Sequence, residues 1–311
     1  MISSEKSEIL VSIVVITYNS ARYVIETLES AKNQTYRSLE LIITDDASTD
    51  DTVNVCRNWL EQNSSGFVRT EILTVEKNTG IPANCNRGVK AAKGEWIKLI
   101  AGDDVLCPEI ISDYILYISE NEECNVLYSD VKFITDKGIE PTNIDMKALR
   151  MNLSGLGAAE QFQILLRTNP VWAATLMYSK EIAQNIEYDE KFRYYEDRPF
   201  LQKITLRGYK IYYVDIVGAL YRKHNESIQL VSKQFLQTRT AIDSYSAKLE
   251  VIKYIDNPME KYLYYTKSKY CINFYKYITN KRNCFTKLLF YAPLFVIDKL
   301  IRVFTNNTQT I

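Results

Sequence analysis

Several common kinds of site have little to be built from in this chain. Its 311 residues include one histidine, ten glycines and seven prolines. The six cysteines (Cys56, Cys85, Cys107, Cys124, Cys271, Cys284) form no CxxC pair or other zinc-ligand spacing. That scarcity fits a reduced, cytoplasmic compartment, as does an N-terminus without the apolar core of a signal peptide. No window reaches the roughly 18 to 20 consecutive apolar residues of a spanning helix, so an integral membrane protein is not expected. No Gly-rich, Lys-containing phosphate loop lies near the N-terminus, which weighs against a nucleotidyltransferase. Internal repeats and low-complexity tracts are also missing.

Net charge is missing too, with 38 basic residues against 38 acidic, but the balance conceals an asymmetry. From Leu230 onward there are 13 Lys and Arg against 5 Asp and Glu, so the tail is basic and residues 1 to 229 are acidic. Nine of the 23 tyrosines fall in that tail. The division suggests a large domain over residues 1 to 229 and a basic, aromatic extension over 230 to 311. Nucleic acid is not expected as a partner.

What is present is a regular alternation. Ile9–Ile16 (ILVSIVVI) and Leu39–Thr44 (LELIIT) read as strands buried on both faces of a parallel sheet. Val24, Ile25, Leu28 and Ala31 make one helical stripe between them, with Asn19 or Ser20 as its cap. A helix over about 51 to 62, a strand at Ile72–Val75, a helix carrying Ala83, Asn86 and Val89, and a strand from Ile97 complete the first 120 residues. Such alternation predicts a doubly wound, mostly parallel α/β sheet. Afterwards the rhythm changes. Short strands are expected at 126–128 and 132–135, with a turn at Asp136-Lys137-Gly138, and others at 174–178, 210–214 and 217–221. Residues 142 to 156 show no clear period and read as a loop over the site. Glu196–Leu206 reads as a helix stopped by Gly208, and everything beyond Leu230 as helical.

The stretch IKLIAGDDV, Ile97 to Val105, carries the chemistry. Carboxylates just past the end of a strand in such a sheet face the ligand crevice. Neighbours on an extended segment point to opposite sides, so Asp103 and Asp104 divide between a divalent metal and a polar ligand, Mg²⁺ or Mn²⁺ being the hard cations that suit oxygen donors. The plainer alternative has Asp104 capping the helix opened by Pro108 and Asp103 in an Asx turn.

Four blocks, VVITYNSARYVIETLESAKNQTY, IITDDASTDDT, NTGIPANCNRGVKAAKGEWIKLIAGDD and YEDRPFLQKITLRGYK, in this order and spacing, resemble the family 2 glycosyltransferases of the GT-A fold over about residues 9 to 226. The resemblance implies a Rossmann-like nucleotide-sugar-binding half over about 1 to 120, an acceptor half over 121 to 229, and a helical extension outside the match. It implies that Tyr18 and Asp46 hold the base, that Asp103 contacts ribose or sugar, and that Asp104 binds the metal bridging the diphosphate. Gly102 stands where the motif often has a further acid. Asp197 of the Glu196-Asp197 pair matches the general base, while Glu196 reads as a helix N-terminal acid. Ser48 and Asp50 read as caps of the following helix. His224, in RKHNES, is a candidate second metal ligand beside Asp104, against the bland reading of a surface or packed histidine; Arg222 and Lys223 would then lie near the diphosphate, solvated charge being their default.

The expected reaction is inverting transfer from a nucleotide-diphosphate sugar, a UDP-sugar being favoured, to a hydroxyl of a lipid-linked cell-surface glycan of O-antigen or capsule type. The rival is a non-catalytic sugar-nucleotide-binding scaffold of the same assembly. The basic, tyrosine-rich tail with its apolar 285–304 stretch reads either as a peripheral helix at the inner face of a membrane or as a subdomain packed on the catalytic domain or on a second copy of the chain.

Overall fold

The structure is a computed structural model, and it describes residues 8–135, 137–142, 145–223, 238–277 and 284–306. The described chain separates into two compact units, one of residues 8–190 with 196–223, the other of 191–195 with the residues from 238 on.

In the first unit the elements run β1 (Val11–Thr17), α1 (Val24–Lys32), β2 (Leu39–Asp45), α2 (Thr52–Asn63), β3 (Arg69–Thr74), α3 (Ile81–Ala91), β4 (Trp96–Ala101), β5 (Val105–Leu106), α4 (Ile110–Glu120), β6 (Val126–Thr135), β7 (Gly138–Glu140), α5 (Asp145–Gly155), α6 (Ala158–Leu165), β8 (Met177–Ser179), α7 (Lys180–Asn185), α8 (Asp197–Leu206) and β9 (Tyr212–Arg222). They form one sheet in the order β3-β2-β1-β4-β8-β6-β9-β5, with β7 paired to β6. The first four neighbours are parallel, β8 runs antiparallel to both β4 and β6, and β6 and β9 are parallel again. This is the mixed, mostly parallel α/β sheet with flanking helices that the alternation predicts.

Burial explains the first half. Every residue of β2 and all but one of β1 are buried, as β-branched runs between two helical layers must be. α1 and α2 pack Leu28, Ala31, Cys56 and Trp59 on one face, and α3 packs Cys85 on the other. Gly88 in α3 is required by closeness, because a Cβ there would lie 2.5 Å from Val14 Cγ1.

Glu40, the second residue of β2 and wholly buried, ties the start of the sheet together. Its carboxylate accepts from Ser12 Oγ, the Lys93 amide, the Gly94 amide at 2.9 Å and Arg69 Nη1 at 2.7 Å. Against the desolvation of burial, these donors hold the carboxyl below the usual range. Glu40→Ala should therefore cost about 1–3 kcal/mol in urea unfolding, since it leaves the buried Ser12, Lys93 and Gly94 donors without their acceptor, while Arg69 keeps Glu71. A loss below ~1 kcal/mol would contradict that role.

Several expectations need correction. β6 is one strand rather than two, with an irregular register against β9 between Tyr128 and Val131, and β9 likewise runs unbroken. α1 starts at Val24, and neither Asn19 nor Ser20 caps it by a side chain; the Ser20 carbonyl instead accepts from the Tyr23 and Val24 amides. Residues 145 to 155, expected as loop, are the helix α5. Its inward face carries Arg150, 1% exposed and paired to Asp130 at 2.6 Å, beside Leu153. A buried arginine in the apolar stripe is what hid the period. Gly208 does end α8 in the left-handed region, at φ +91°.

From residue 238 on, the described residues of the second unit are mostly helical: α9 (Thr238–Val251), α10 (Pro258–Tyr277) and α11 (Cys284–Asn306). Cys271, Phe274, Phe290 and Leu294 form its small core. No helix among the described residues is long and apolar enough to cross a membrane.

Candidate active site

Two loops at the carboxyl ends of β1 and β2 are stitched together by the side chains of the DDASTDDT block. Ser48 Oγ accepts from the Asn19 amide (2.8 Å), Asn19 Oδ1 accepts from the Thr49 amide (2.8 Å), Thr52 Oγ1 accepts from the Ser20 amide (2.8 Å) and Asp50 Oδ2 from the Ala21 amide (3.1 Å). Ser48 and Asp50 thus tie the first loop to the second rather than capping α2 as expected: its N-cap is Asp51, without a side-chain cap, and Asp50 adds only a bond from the Thr52 amide (3.1 Å). Asn19 and Ala47 sit at positive φ, +52° and +63°. Backbone strain of this kind persists only where the surroundings over-determine it, and here the stitching does so. Tyr18, just before the stitched positions, is left 47% exposed.

Asp46 is 2% exposed. Its carboxylate accepts from the Thr79 amide (3.0 Å) and hydroxyl (2.5 Å), the Gly80 amide (2.7 Å) and Arg87 Nη2 (3.1 Å). Against desolvation, those donors hold it below the usual carboxylate range. Arg87, which the sequence reading did not single out, also bonds Thr44 Oγ1 and Asn84 Oδ1. Asp46 therefore joins the turn before α3 to the end of β2, with much of its acceptor capacity already used.

The turn after β4 explains Gly102. A Cβ there would lie 2.8 Å from Thr17 Cγ2, so no acid fits at that place in the motif. Asp103 is half-buried; Asp104 is 3% exposed and accepts from the Arg222 amide at 2.9 Å. Burial, with the Asp103 charge beside it, pushes the Asp104 carboxyl well up. Arg222 is not solvated: its Nε donates to the Asp103 carbonyl (2.8 Å), its Nη2 to Glu26 (2.6 Å), and its guanidinium lies 4.7 Å from the Tyr23 ring centre. Lys223 Nζ lies 3.3 Å from the Phe133 ring centre. His224 lies outside the described residues.

Asp197 opens α8. Its Oδ2 accepts from Asn169 Nδ2 (2.8 Å) and its Oδ1 from the Arg198 amide (2.6 Å). Burial pushes its carboxyl up, and burial with the Asp197 charge pushes Glu196 to about 8. The end of β9 relates the two acidic pairs: the Arg222 amide donates to Asp104, while the neighbouring Tyr221 packs its ring on Trp172, three residues from the Asn169 that holds Asp197, and its phenol is pushed up by burial first and then by the charge of all four acids. Tyr221 belongs to an aromatic wall with Phe133 and Trp172, ring centres 5.6 to 6.2 Å apart, on a bed of Val131, Ala174 and Ala219.

One further residue escaped the sequence reading. Lys98, in mid-β4, is wholly buried, and burial pushes its ammonium down to about 7 against the pull of Asp104. The signal was a lone cation inside an otherwise apolar strand.

Among the described residues no group of three or more His, Cys, Asp or Glu is placed to hold a metal unaided. Asp104 nevertheless suits a hard cation: it is a buried carboxylate beside a second one, short of hydrogen bonds for its charge. Mg²⁺ and Mn²⁺ are commonly held by one or two carboxylates completed by substrate phosphates.

The mixed, mostly parallel sheet with its flanking helices is of the GT-A type seen in its structural neighbours. The model of the family described as glycosyl transferase family 2 matches residues 12–194, and the chain belongs to that family. It is 26% identical over 221 residues to the Escherichia coli UDP-Glc:alpha-D-GlcNAc-diphosphoundecaprenol beta-1,3-glucosyltransferase WfaP, covering 70% of this chain and 79% of that one. Among solved structures it resembles residues 1–349 of TarS from Staphylococcus aureus in complex with UDP-GlcNAc (20% identity, TM-score 0.60, 86% of this chain and 73% of that one). Of the longer TarS chain it spans 43%. The mannosyltransferase PcManGT from Pyrobaculum calidifontis, solved with GDP-Man and Mn²⁺, matches at TM-score 0.61 and 16% identity over 97% of this chain and 84% of that one.

Proposed function

We propose that the protein transfers a sugar from a nucleotide-diphosphate donor, a UDP-sugar by preference, to a hydroxyl of a lipid-linked cell-surface glycan, with inversion at the anomeric carbon. The observation that carries this reading is that the end of β9 links the two acidic pairs: the Arg222 amide donates to Asp104, and the Tyr221 ring packs on Trp172, in the segment whose Asn169 donates to Asp197. One pair serves donor and diphosphate; the other serves the acceptor. Tyr18 offers a ring face to the base and Asp46 shapes the base-binding end. Asp103 contacts the ribose or sugar. Asp104 would hold Mn²⁺ or Mg²⁺ with the diphosphate. That ion, when bound, neutralises the departing phosphates.

Asp197 takes the proton of the acceptor hydroxyl as its oxygen bonds to the anomeric carbon and the bond from that carbon to the diphosphate breaks. Attack from the face opposite the diphosphate inverts the configuration. The aromatic wall offers an apolar surface to a pyranose ring beside this event. A scaffold would have no use for an acid oriented as Asp197 is by Asn169, which disfavours the non-catalytic alternative. A thermal-shift screen of sugar nucleotides with and without Mn²⁺ tests the reading, a ligand at a hundred times its Kd adding ~2.7 kcal/mol. Stabilisation by UDP or a UDP-sugar is expected; none by any nucleotide would refute it.

The tail adds a location. α11 buries Phe290, Leu294 and Ile301 but leaves Leu289, Val296, Leu300 and Val303 exposed, a second apolar stripe on another face. With the basic charge of the segment this suits the interface of an anionic membrane. Deleting residues from Phe285 onward should release the protein from anionic vesicles in flotation. Equal solubility of the two forms would favour packing against another subunit.

A further inference from the structure

Beneath the segment carrying Asn169 and Trp172 lies a set of polar side chains sealed from solvent. Lys98, Tyr114, Ser129 and Thr175 are each 0% exposed, and they come from β4, α4, β6 and the turn at 173–175. Lys98 Nζ donates to the carbonyls of Ala174 (2.6 Å) and Leu99 (2.9 Å). Tyr114 donates to the Thr175 carbonyl (3.0 Å), and the single proton of Thr175 Oγ1 lies between the carbonyls of Trp172 (2.9 Å) and Ser129 (3.0 Å).

Lysine is almost never wholly buried unless paired, and the two acceptors of Lys98 are main-chain carbonyls rather than a carboxylate. An apolar side chain could fill the same space without the desolvation cost. What the lysine adds is a fixed link from the central strand to the turn, and the contacts continue from there without a gap. Thr175 holds the Trp172 carbonyl, the Val171 amide donates to Asn169 Oδ1 (3.3 Å), and Asn169 Nδ2 donates to Asp197 Oδ2 (2.8 Å).

We propose that Lys98 is a positioning residue for catalysis: by pinning the 172–175 turn to β4 it holds Asn169, and through Asn169 the Asp197 carboxylate, at the angle the acceptor hydroxyl requires. This rests on the reading of Asp197 as the base. An ammonium has three N–H donors and a neutral amine two, so both carbonyls are satisfied in either form and the pin does not depend on protonation.

The test is a double-mutant cycle on the full chain. Wild type, Lys98→Met, Asp197→Asn and the double variant are compared for UDP release from whichever UDP-sugar the wild type turns over, and for UDP binding. Lys98→Met should lower kcat about 10- to 100-fold, the scale of a misplaced catalytic group, with UDP affinity unchanged. In the Asp197→Asn background the same substitution should change kcat by less than about threefold, because residues acting as a unit are not additive. Equal losses in both backgrounds, or a lower melting temperature with unchanged kcat per folded molecule, would leave Lys98 a structural residue only and overturn the proposal. Should Lys98→Met fail to fold, Thr175→Val removes the next link of the chain at nearly constant shape and must show the same non-additivity. A wild type that neither binds UDP nor releases it from any UDP-sugar would instead overturn the proposed function, and this inference with it.

Discussion

Asp197→Asn should lower kcat by about 10² to 10⁴-fold while leaving donor affinity near wild type. The amide keeps the shape of the carboxylate and can still face Asn169, but it cannot accept the acceptor's proton. Binding and turnover should therefore separate, and steady-state kinetics beside UDP titration would show it. A variant with wild-type turnover would remove Asp197 from the mechanism. The pH dependence follows from the same surroundings. Burial raises Glu196 to about 8 and Asp197 above the ordinary carboxylate range, so kcat/KM should climb with pH through the titration of the pair, and Asp197→Asn should flatten that limb. For stability the sign is opposite to that of Glu40. The folded chain keeps protons on this pair that the unfolded chain has lost, so their contribution declines as pH rises from the ordinary carboxylate range through about 8.

Asp104→Asn is the second substitution with a large expected effect, and it should divide fold from function. The carboxyl is buried and pushed up, so an amide that still accepts from the Arg222 N–H should leave the melting temperature of the free protein unchanged or higher. The Mn²⁺-dependent part of UDP binding should disappear, a loss of ~2.7 kcal/mol of stabilisation at a ligand concentration that saturates the wild type a hundredfold. Differential scanning fluorimetry with UDP, with and without Mn²⁺, reads both effects. An unchanged Mn²⁺ effect would take Asp104 out of the metal site.

The parallel half of the sheet was legible because β1, β2 and β4 are largely apolar runs closed by polar turns, as burial on both faces favours, the buried Glu40 and Lys98 being among the exceptions. The edge strand β3 was placed late, at 72–75 instead of 69–74, because Arg69 and Glu71 face partners at the sheet's margin and break the apolar signal. α5 was missed because an arginine occupies its inward face. Of the candidate site, Asp103 and Asp104 could be proposed from their place just past a strand end, and Asp197 only from the family resemblance. Their supports could not. Asn169 lies 28 residues from Asp197, and Lys98 reaches Ala174 across 76, distances at which a single sequence carries no pairing information. Asp46 shows a related limit, since nothing in DDAST announces that Thr79, Gly80 and Arg87 fill its acceptor sites.

The most direct test of sugar transfer is ¹H NMR of the full-length protein incubated with UDP-sugars and Mn²⁺, following UDP release and the anomeric configuration of the first sugar product, before mutarotation where water is the acceptor. Transfer with inversion predicts one UDP per sugar moved, a product anomer opposite to the donor's, and loss of both signals in Asp197→Asn. A product retaining the donor configuration, or UDP-sugar bound across the panel without release of UDP, would contradict it.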